Sequence, residues 1–175
     1  MGNQLSEPKN EKEQASGAGN KLKFALSSCQ GWRNNQEDSH ITAVDLKNEK
    51  LDGCSLFMVF DGHGGIRLSK DCEMGFQDHF VSEIAKVSDL SNKDDVEKAI
   101  IDLFLSFDKS MNDRRQNYPN PNENPYMECG CTATGVFVTP HFFVFMNLGD
   151  SRSVLINKNS VKFTTLDHKP GDEDE

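Results

Sequence analysis

The chain has 175 residues, and its 28 acidic side chains outnumber the 19 basic ones, for a formal net charge of −9. This acidic balance argues against a nucleic-acid partner, because binding a polyanion needs a basic surface. Five cysteines without a C-x-x-C pair, in a sequence without a signal-peptide-like apolar segment, indicate a reducing cytoplasm or nucleus. The length is typical of one domain, and no apolar run approaches the roughly 18 residues of a membrane span.

Residues 1–20 hold almost no large apolar side chains, and this composition predicts a disordered N-terminal tail. The first six residues, MGNQLS, fit the pattern M-G-x-x-x-[ST], which predicts N-myristoylation of Gly2; the alternative is an unmodified tail. One acyl chain binds membranes weakly and reversibly, and Lys9 and Lys12 are offset by neighbouring acids. We therefore expect a cytoplasmic or nuclear protein with a peripheral membrane fraction.

The segment after residue 20 begins with strand-like stretches and continues with two helices. KFALSSC, HITAVDL and CSLFMVF are short, rich in β-branched or aromatic residues and bounded by polar or glycine breakers, so they predict strands. Apolar residues recur every four positions from Leu68 to Ile84, which predicts an amphipathic helix. A second helical pattern runs from Val96 to Met111, and the preceding SNKDD supplies an N-cap and a negative first turn.

The C-terminal part returns to strands after an interruption. RRQNYPNPNENPYMECG is rich in proline and asparagine and predicts a long irregular loop. TATGVFVT, HFFVFMNL, SVLIN and VKFTTL then predict an antiparallel meander. The order of strands, two helices and strands indicates an α+β fold, as one domain over residues 21–175.

Carboxylates near strand ends form the chemical pattern of the sequence. Asp61 directly follows a predicted strand, and the carbonyl of Gly62 lies beside it in a turn open to an ion. Glu37 and Asp38 precede another strand, and Arg33 lies four positions upstream of Glu37. Oxygen ligands suit Mg²⁺ and Mn²⁺, and the planar fork of arginine binds phosphate oxygens in pairs.

Each of these features alone has an ordinary interpretation. Asp61 with Gly62 fits a simple turn, Glu37 with Asp38 fits a solvated surface, and His63 fits an exposed imidazole. Asp150, in NLGDSR, is a third acid that follows a strand and a glycine. The functional hypothesis therefore depends on the combination of these features.

Two closely spaced cysteines raise a separate question. Cys129 and Cys131, in ECGCTA, could indicate a metal or redox pair. Soft-metal sites need other spacings and more ligands, so small buried hydrophobic side chains are the favoured interpretation.

Five segments together resemble a known family. GWRNNQEDSH, VFDGHGG, GCTATGVFV, NLGDSR and LDHKP are similar, in order and spacing, to the motifs of metal-dependent protein serine/threonine phosphatases, the protein phosphatase 2C family. The resemblance runs from about residue 21 to the last residue, and the N-terminal segment looks like that of the animal alpha and beta forms. It implies an αββα sandwich of two antiparallel sheets flanked by helices, with two Mg²⁺ or Mn²⁺ ions at one end.

The resemblance also implies roles for individual residues in a metal-assisted hydrolysis. Asp61 would bridge the two ions, Glu37 and the Gly62 carbonyl would complete one of them, and Asp38 would orient a water. Arg33 would bind the substrate phosphate. The two ions would lower the pKa of a bridging water, and the resulting hydroxide would attack phosphorus in line.

Three further residues match the family's motifs with other roles. His63 resembles the general acid that protonates the leaving serine or threonine oxygen. Asp150 resembles an acid of a further, weaker metal site, and Thr132 matches a threonine near it. The family's usual MED and SGSTA here read QED and CGCTA, which leaves the matched ligands in place.

The sequence ends after LDHKPGDEDE, where the family's domain continues for roughly another hundred residues, with two more metal-binding aspartates. We therefore expect a fragment, a truncated product or an incomplete sequence, monomeric and inactive by itself. The main hypothesis is a phosphatase acting on phosphoserine and phosphothreonine in proteins. The alternatives are a catalytically inactive truncated domain that binds partners or regulates them, and a different metallohydrolase using the same acids.

Overall fold

The computed structural model describes residues 4–169 and residue 171 of the chain. Its two long helices are α1 (Arg67–Ile84) and α2 (Lys93–Gln116), and short 3₁₀ turns cover Glu49–Leu51 and Pro121–Glu123. The strands, in chain order, are β1 (Lys9–Gly19), β2 (Leu22–Gly31), β3 (Ser39–Ala43), β4 (Ser55–Phe60), β5 (Gly62–His63), β6 (Gly130–Cys131), β7 (Ala133–Val138), β8 (Phe143–Leu148), β9 (Val154–Asn157) and β10 (Ser160–Thr164).

The centre of the fold is an antiparallel four-stranded sheet with the order β3-β4-β7-β8. Side chains alternate between the two faces of a strand, so β4 contributes to both. Leu56, Met58 and Phe60 of β4 are buried in the main hydrophobic core. Phe57 and Val59 point to the opposite face.

Both helices pack on the first of these faces. The buried stripe of α1 includes Phe76, whose ring lies 5.8 Å from that of Phe60 in β4 and 5.1 Å from that of Phe107 in α2. The N-cap of α2 is Asn92, whose side chain accepts hydrogen bonds from the backbone of Asp94 and Asp95. Both predicted helices and the predicted cap are therefore confirmed. Among residues 4–169 and 171, none of the helices has the length and apolar character of a membrane span.

Two hairpins cover the other face of the sheet. In the β1–β2 hairpin, the ring of Phe24 lies 5.6 Å from that of Phe57. In the β9–β10 hairpin, the ring of Phe163 lies 4.9 Å from that of Phe145 in β8. The result is a layer of helices, a sheet and a layer of strands, so the α+β class is confirmed.

The prediction of a disordered tail over residues 1–20 is wrong for most of that segment. β1 pairs with β2 from Lys9 opposite Gly31 to Gly19 opposite Leu22, although most of its side chains are exposed. Composition reports how much a segment can bury, whereas this ladder is held by backbone hydrogen bonds that need no apolar side chains. Gly2, the predicted lipidation site, lies outside the described residues.

Two other boundaries differ from the predictions. The predicted meander breaks after β8 at Gly149, whose φ of 98° starts a turn, and β9 pairs with β10 instead of β8. The predicted loop begins later than expected, because α2 continues through Gln116. Arg114, on this last turn of α2, lies 3.6 Å from the carboxylate of Asp71 in α1, which ties the two helices together.

Candidate active site

A cavity of about 510 Å³ lies between the turn that follows β2 and the start of β5. Its wall contains a cation, three carboxylates and a glycine, from Arg33, Glu37, Asp38, Asp61 and Gly62. The structure thus brings together residues that are well separated in the sequence. Their individual roles stay predictions.

Gly62, at the start of β5, lies in close contact with the backbone of Glu37. A Cβ atom at Gly62 would lie 2.2 Å from the carbonyl oxygen of Glu37 and 2.8 Å from the hydroxyl of Ser69. The Ser69 hydroxyl donates a hydrogen bond of 2.5 Å to the same Glu37 oxygen. Any larger residue at position 62 would therefore push Glu37 away from Asp61, so glycine is needed for this approach.

The carboxylates of the cavity repel one another. Partial burial and the negative charge of Asp61 raise the pKa of Asp38 above its ordinary value of 3.8, while the Gln36 amide and Arg33 act in the opposite direction. Gln36 donates a hydrogen bond of 3.3 Å to Asp38 and one of 2.6 Å to Ser28. Gln36 stands where the family motif usually has methionine, so this departure adds a donor to Asp38.

The donor atoms fit a hard divalent cation in kind and in charge. Carboxylate and carbonyl oxygens are the ligands that Mg²⁺ and Mn²⁺ prefer, and a cation between Asp38 and Asp61 would relieve their repulsion. In the part of the chain that the structure describes, no group of three or more His, Cys, Asp or Glu side chains could hold a metal ion. The fit of this cavity to a metal ion is therefore one of ligand chemistry alone.

Thr132 fixes the backbone of Asp61. Its backbone N–H donates to the Asp61 carbonyl at 2.9 Å, and its hydroxyl accepts from the Asp61 N–H at 3.3 Å. The same hydroxyl lies 2.7 Å from that of Ser151, and Gly149 packs against the Thr132 methyl group. The turn that carries Asp150 is therefore linked to Asp61 through the Thr132 hydroxyl by two hydrogen bonds, but Asp150 is exposed and lies outside the cavity wall.

His63 is also placed outside this wall. It is exposed and pairs with Gly130 in the short β5–β6 ladder. A Cβ atom at Gly130 would lie 2.5 Å from the His63 Nε2 atom, so the imidazole covers this glycine. The sequence brings His63 next to Asp61 and Gly62, and its role as general acid stays a prediction.

Sequence reasoning missed the residues that shape the turn around Arg33. Gln30 donates from its side-chain amide to the backbone carbonyls of Arg33, at 2.7 Å, and Asn34, at 2.8 Å. Neither Gln30 nor Ser69 belongs to a motif with a readable spacing. Such contacts depend on how a turn folds back on itself, so no signal in the sequence could have identified them.

A buried carboxylate in α1 was also missed. Asp71 is 7% exposed, accepts a hydrogen bond from the Tyr126 hydroxyl and lies 3.2 Å from Arg67. Tyr126 belongs to the loop between α2 and β6, and the Glu128 carbonyl of that loop packs directly against Gly64. This cluster fixes the loop beside the turn that follows Asp61.

The cavity combines an arginine with carboxylates, which are residue types that suit a phosphate group and divalent cations. Comparison with known proteins gives the class: the family model described as protein phosphatase 2C matches residues 22–175. The chain belongs to the protein phosphatase 2C family, and the predicted resemblance is confirmed.

The relatives include protein phosphatases of mammals. Mouse protein phosphatase 1B is 39% identical, over 97% of this chain and 44% of its own length. Human protein phosphatase 1B is 37% identical, over 97% of this chain and 36% of its own length. Human protein phosphatase 1A is 36% identical, over 97% of this chain and 44% of its own length. The chain therefore spans less than half the length of these relatives.

Proposed function

We propose that this sequence forms part of an active site that hydrolyses phosphoserine and phosphothreonine in proteins with the help of two Mg²⁺ or Mn²⁺ ions. The observation that carries the proposal is the shared cavity of Arg33, Glu37, Asp38 and Asp61, in a chain whose family consists of protein phosphatases. Because the relatives are more than twice as long, the activity is proposed for the complete domain.

The residues of the chain divide the work between phosphate and ions. Arg33 would bind the phosphate through its guanidinium, while Glu37, Asp61 and the Gly62 carbonyl would hold the ions. When bound, the ions supply a water whose pKa is low enough for it to act as nucleophile. Asp38 would orient such a water by accepting a hydrogen bond from it.

The leaving oxygen needs a proton, and His63 is proposed to donate it. An imidazole can carry a proton near neutral pH, and the exposed position of His63 leaves it accessible to a bound phosphopeptide.

Arg33→Ala should mainly raise KM, because Arg33 binds the phosphate in the ground state. His63→Gln should mainly lower kcat, because His63 acts on the leaving group.

The experiment uses the complete domain and measures Mn²⁺ binding by calorimetry and phosphate release from a phosphoserine peptide, for the wild type, Asp61→Asn and Asp102→Asn. Asp102 is a matched control, since it forms an exposed ion pair with Lys98 on α2, where it lies outside the cavity. Asp61→Asn should lose Mn²⁺ binding and turnover, and Asp102→Asn should keep both. Mn²⁺ binding that survives Asp61→Asn would contradict the proposal.

A binding module without catalysis is the second candidate. It is favoured by Arg33 in the cavity wall, because a guanidinium can bind a phosphate group without a metal ion. A phosphopeptide that binds in an Arg33-dependent manner without phosphate release would support this candidate. A metallohydrolase of another kind would release phosphate from a small ester but not from the peptide.

Localisation and partners are proposed on the sequence alone. Phosphoproteins are the proposed partners of a monomeric protein in the cytoplasm or nucleus, with myristoylated Gly2 giving a reversible membrane fraction. Coexpression with an N-myristoyltransferase, followed by intact mass, tests the modification. If Gly2→Ala leaves the membrane-associated fraction unchanged, the lipid has no role there.

Asp150 is proposed as a ligand of a further, weaker metal site.

A further inference from the structure

Two cysteines from distant parts of the chain face each other beneath the candidate active site. Cys72 lies on α1 and Cys131 in β6, and their Sγ atoms are 3.7 Å apart. Both are free thiols in this structure. Cys72 is 6% exposed, whereas Cys131 is more accessible.

The geometry suits a disulfide. A disulfide bond brings two sulfur atoms to about 2.05 Å, so these two need to approach by roughly 1.7 Å. Rotation of a side chain about its Cα–Cβ bond between staggered rotamers moves a cysteine sulfur over a distance of this size. Contacts between α1 and β6 already hold the two backbones side by side.

We propose that Cys72 and Cys131 are a site of reversible oxidation, at which a peroxide converts the two thiols to a disulfide. Cys131 is the more accessible sulfur and attacks the peroxide, which gives a sulfenic acid and releases one water, or one alcohol from an organic peroxide. The Cys72 thiol then displaces the sulfenic oxygen as a water, and the S–S bond forms. The dithiol loses two electrons and two protons, and the peroxide O–O bond accepts the electrons. A dithiol reductant reverses the reaction by thiol–disulfide exchange.

The bond would connect the helix layer to the backbone around Asp61. Cys131 pairs directly with Gly62, and its neighbour Thr132 binds the backbone of Asp61 on both sides. A covalent link at Cys131 therefore restrains the strand on which Asp61 depends. In a reducing compartment such disulfides are usually transient and redox-sensing, which fits a reversible link.

Peptide mapping of the 175-residue chain tests the proposal without reference to catalysis. Reduced protein is treated with hydrogen peroxide, the remaining thiols are alkylated, and a non-reducing digest is analysed by mass spectrometry. We expect a peptide pair linked through Cys72 and Cys131 that disappears after dithiothreitol. The thermal midpoint should also rise on oxidation, because the link closes a long loop of the unfolded chain.

Two single substitutions provide the comparison. Cys131→Ser should abolish both the linked peptide and the rise in midpoint, while Cys29→Ser, at an exposed cysteine of β2, should keep both. Peroxide treatment of the wild type that yields only sulfinic acid at Cys131, or only intermolecular links, overturns the proposal. If Cys131→Ser does not fold, the peptide map of the oxidised wild type is sufficient to test the proposal.

Discussion

Thr132 forms two hydrogen bonds with the backbone of Asp61: its amide donates one to the Asp61 carbonyl, and its hydroxyl accepts one from the Asp61 N–H. Asp61 itself is exposed, so few packing contacts fix the direction of its carboxylate. The short β5–β6 ladder holds the next residues in place, with Gly62 opposite Cys131. The position of the proposed bridging carboxylate therefore depends on a neighbouring strand.

Removal of the Thr132 hydroxyl should weaken this link. Thr132→Val keeps the shape of the side chain and the backbone bond to Asp61 but loses the hydroxyl's bonds to the Asp61 N–H and to Ser151, so the free energy of unfolding should fall by about 1–2 kcal/mol. Urea denaturation measures the change. Thr132→Ser, which keeps the hydroxyl, is the control and should lose less. Equal losses for both variants would show that the methyl group against Gly149 contributes as much as the hydroxyl.

Gly64 tests the contact between the Asp61 turn and the loop that precedes β6. Its φ is +69°, and a Cβ atom would lie 1.9 Å from the Glu128 carbonyl oxygen. Gly31 has a similar φ of +63° with nothing within 4 Å of the added Cβ, so Gly31→Ala reports the backbone strain alone. Gly31→Ala should cost about 1–2 kcal/mol, and Gly64→Ala roughly 1–3 kcal/mol more in urea denaturation. Similar costs would mean that the loop simply moves aside.

The Asp71 cluster should control the order of that same loop. Asp71→Asn removes the charge that faces Arg67 and Arg114 and weakens the bond to Tyr126, so unfolding should become easier by about 1–3 kcal/mol. Tyr126→Phe keeps the ring and loses only the hydroxyl, so its cost should be smaller. Hydrogen exchange of residues 117–129 provides the local measurement. Unchanged protection there in Asp71→Asn would show that the loop is held by other contacts.

Hydrophobic spacing was sufficient to predict both helices, since the buried faces of α1 and α2 follow the periods read from Leu68 and Val96. Strand positions were also predictable from short apolar runs. The pairing partners of the strands could not be predicted in the same way. The chain changes direction after β8 at Gly149, and the sequence does not reveal the φ of a glycine. β1 was missed because its ladder is made by backbone groups, which every sequence possesses.

The candidate site was predictable only as a set of residue types. Acids after strands, a glycine and an arginine indicated oxygen ligands and a phosphate partner, and the cavity brings Arg33, Asp38 and Asp61 together. The contacts that set their positions come from Gln30, Ser69 and Thr132. Two of these three act through bonds between a side chain and a backbone carbonyl, whose partners are fixed by the fold and leave no trace in sequence spacing.

Repulsion between Asp38 and Asp61 gives the metal-free chain a pH dependence. Burial and the charge of Asp61 raise the pKa of Asp38 above 3.8 in the folded chain, so ionisation of Asp38 opposes folding. The wild type therefore has its full stability below the unfolded pKa of Asp38 and loses part of it as the pH rises through the folded pKa. In urea unfolding, Asp38→Asn should therefore match the wild type at low pH and become the more stable protein as the pH increases toward neutrality. Asp102→Asn, which removes a carboxylate paired with Lys98, should show no such gain. A stability difference between Asp38→Asn and the wild type that is the same at every pH would exclude this repulsion as its cause.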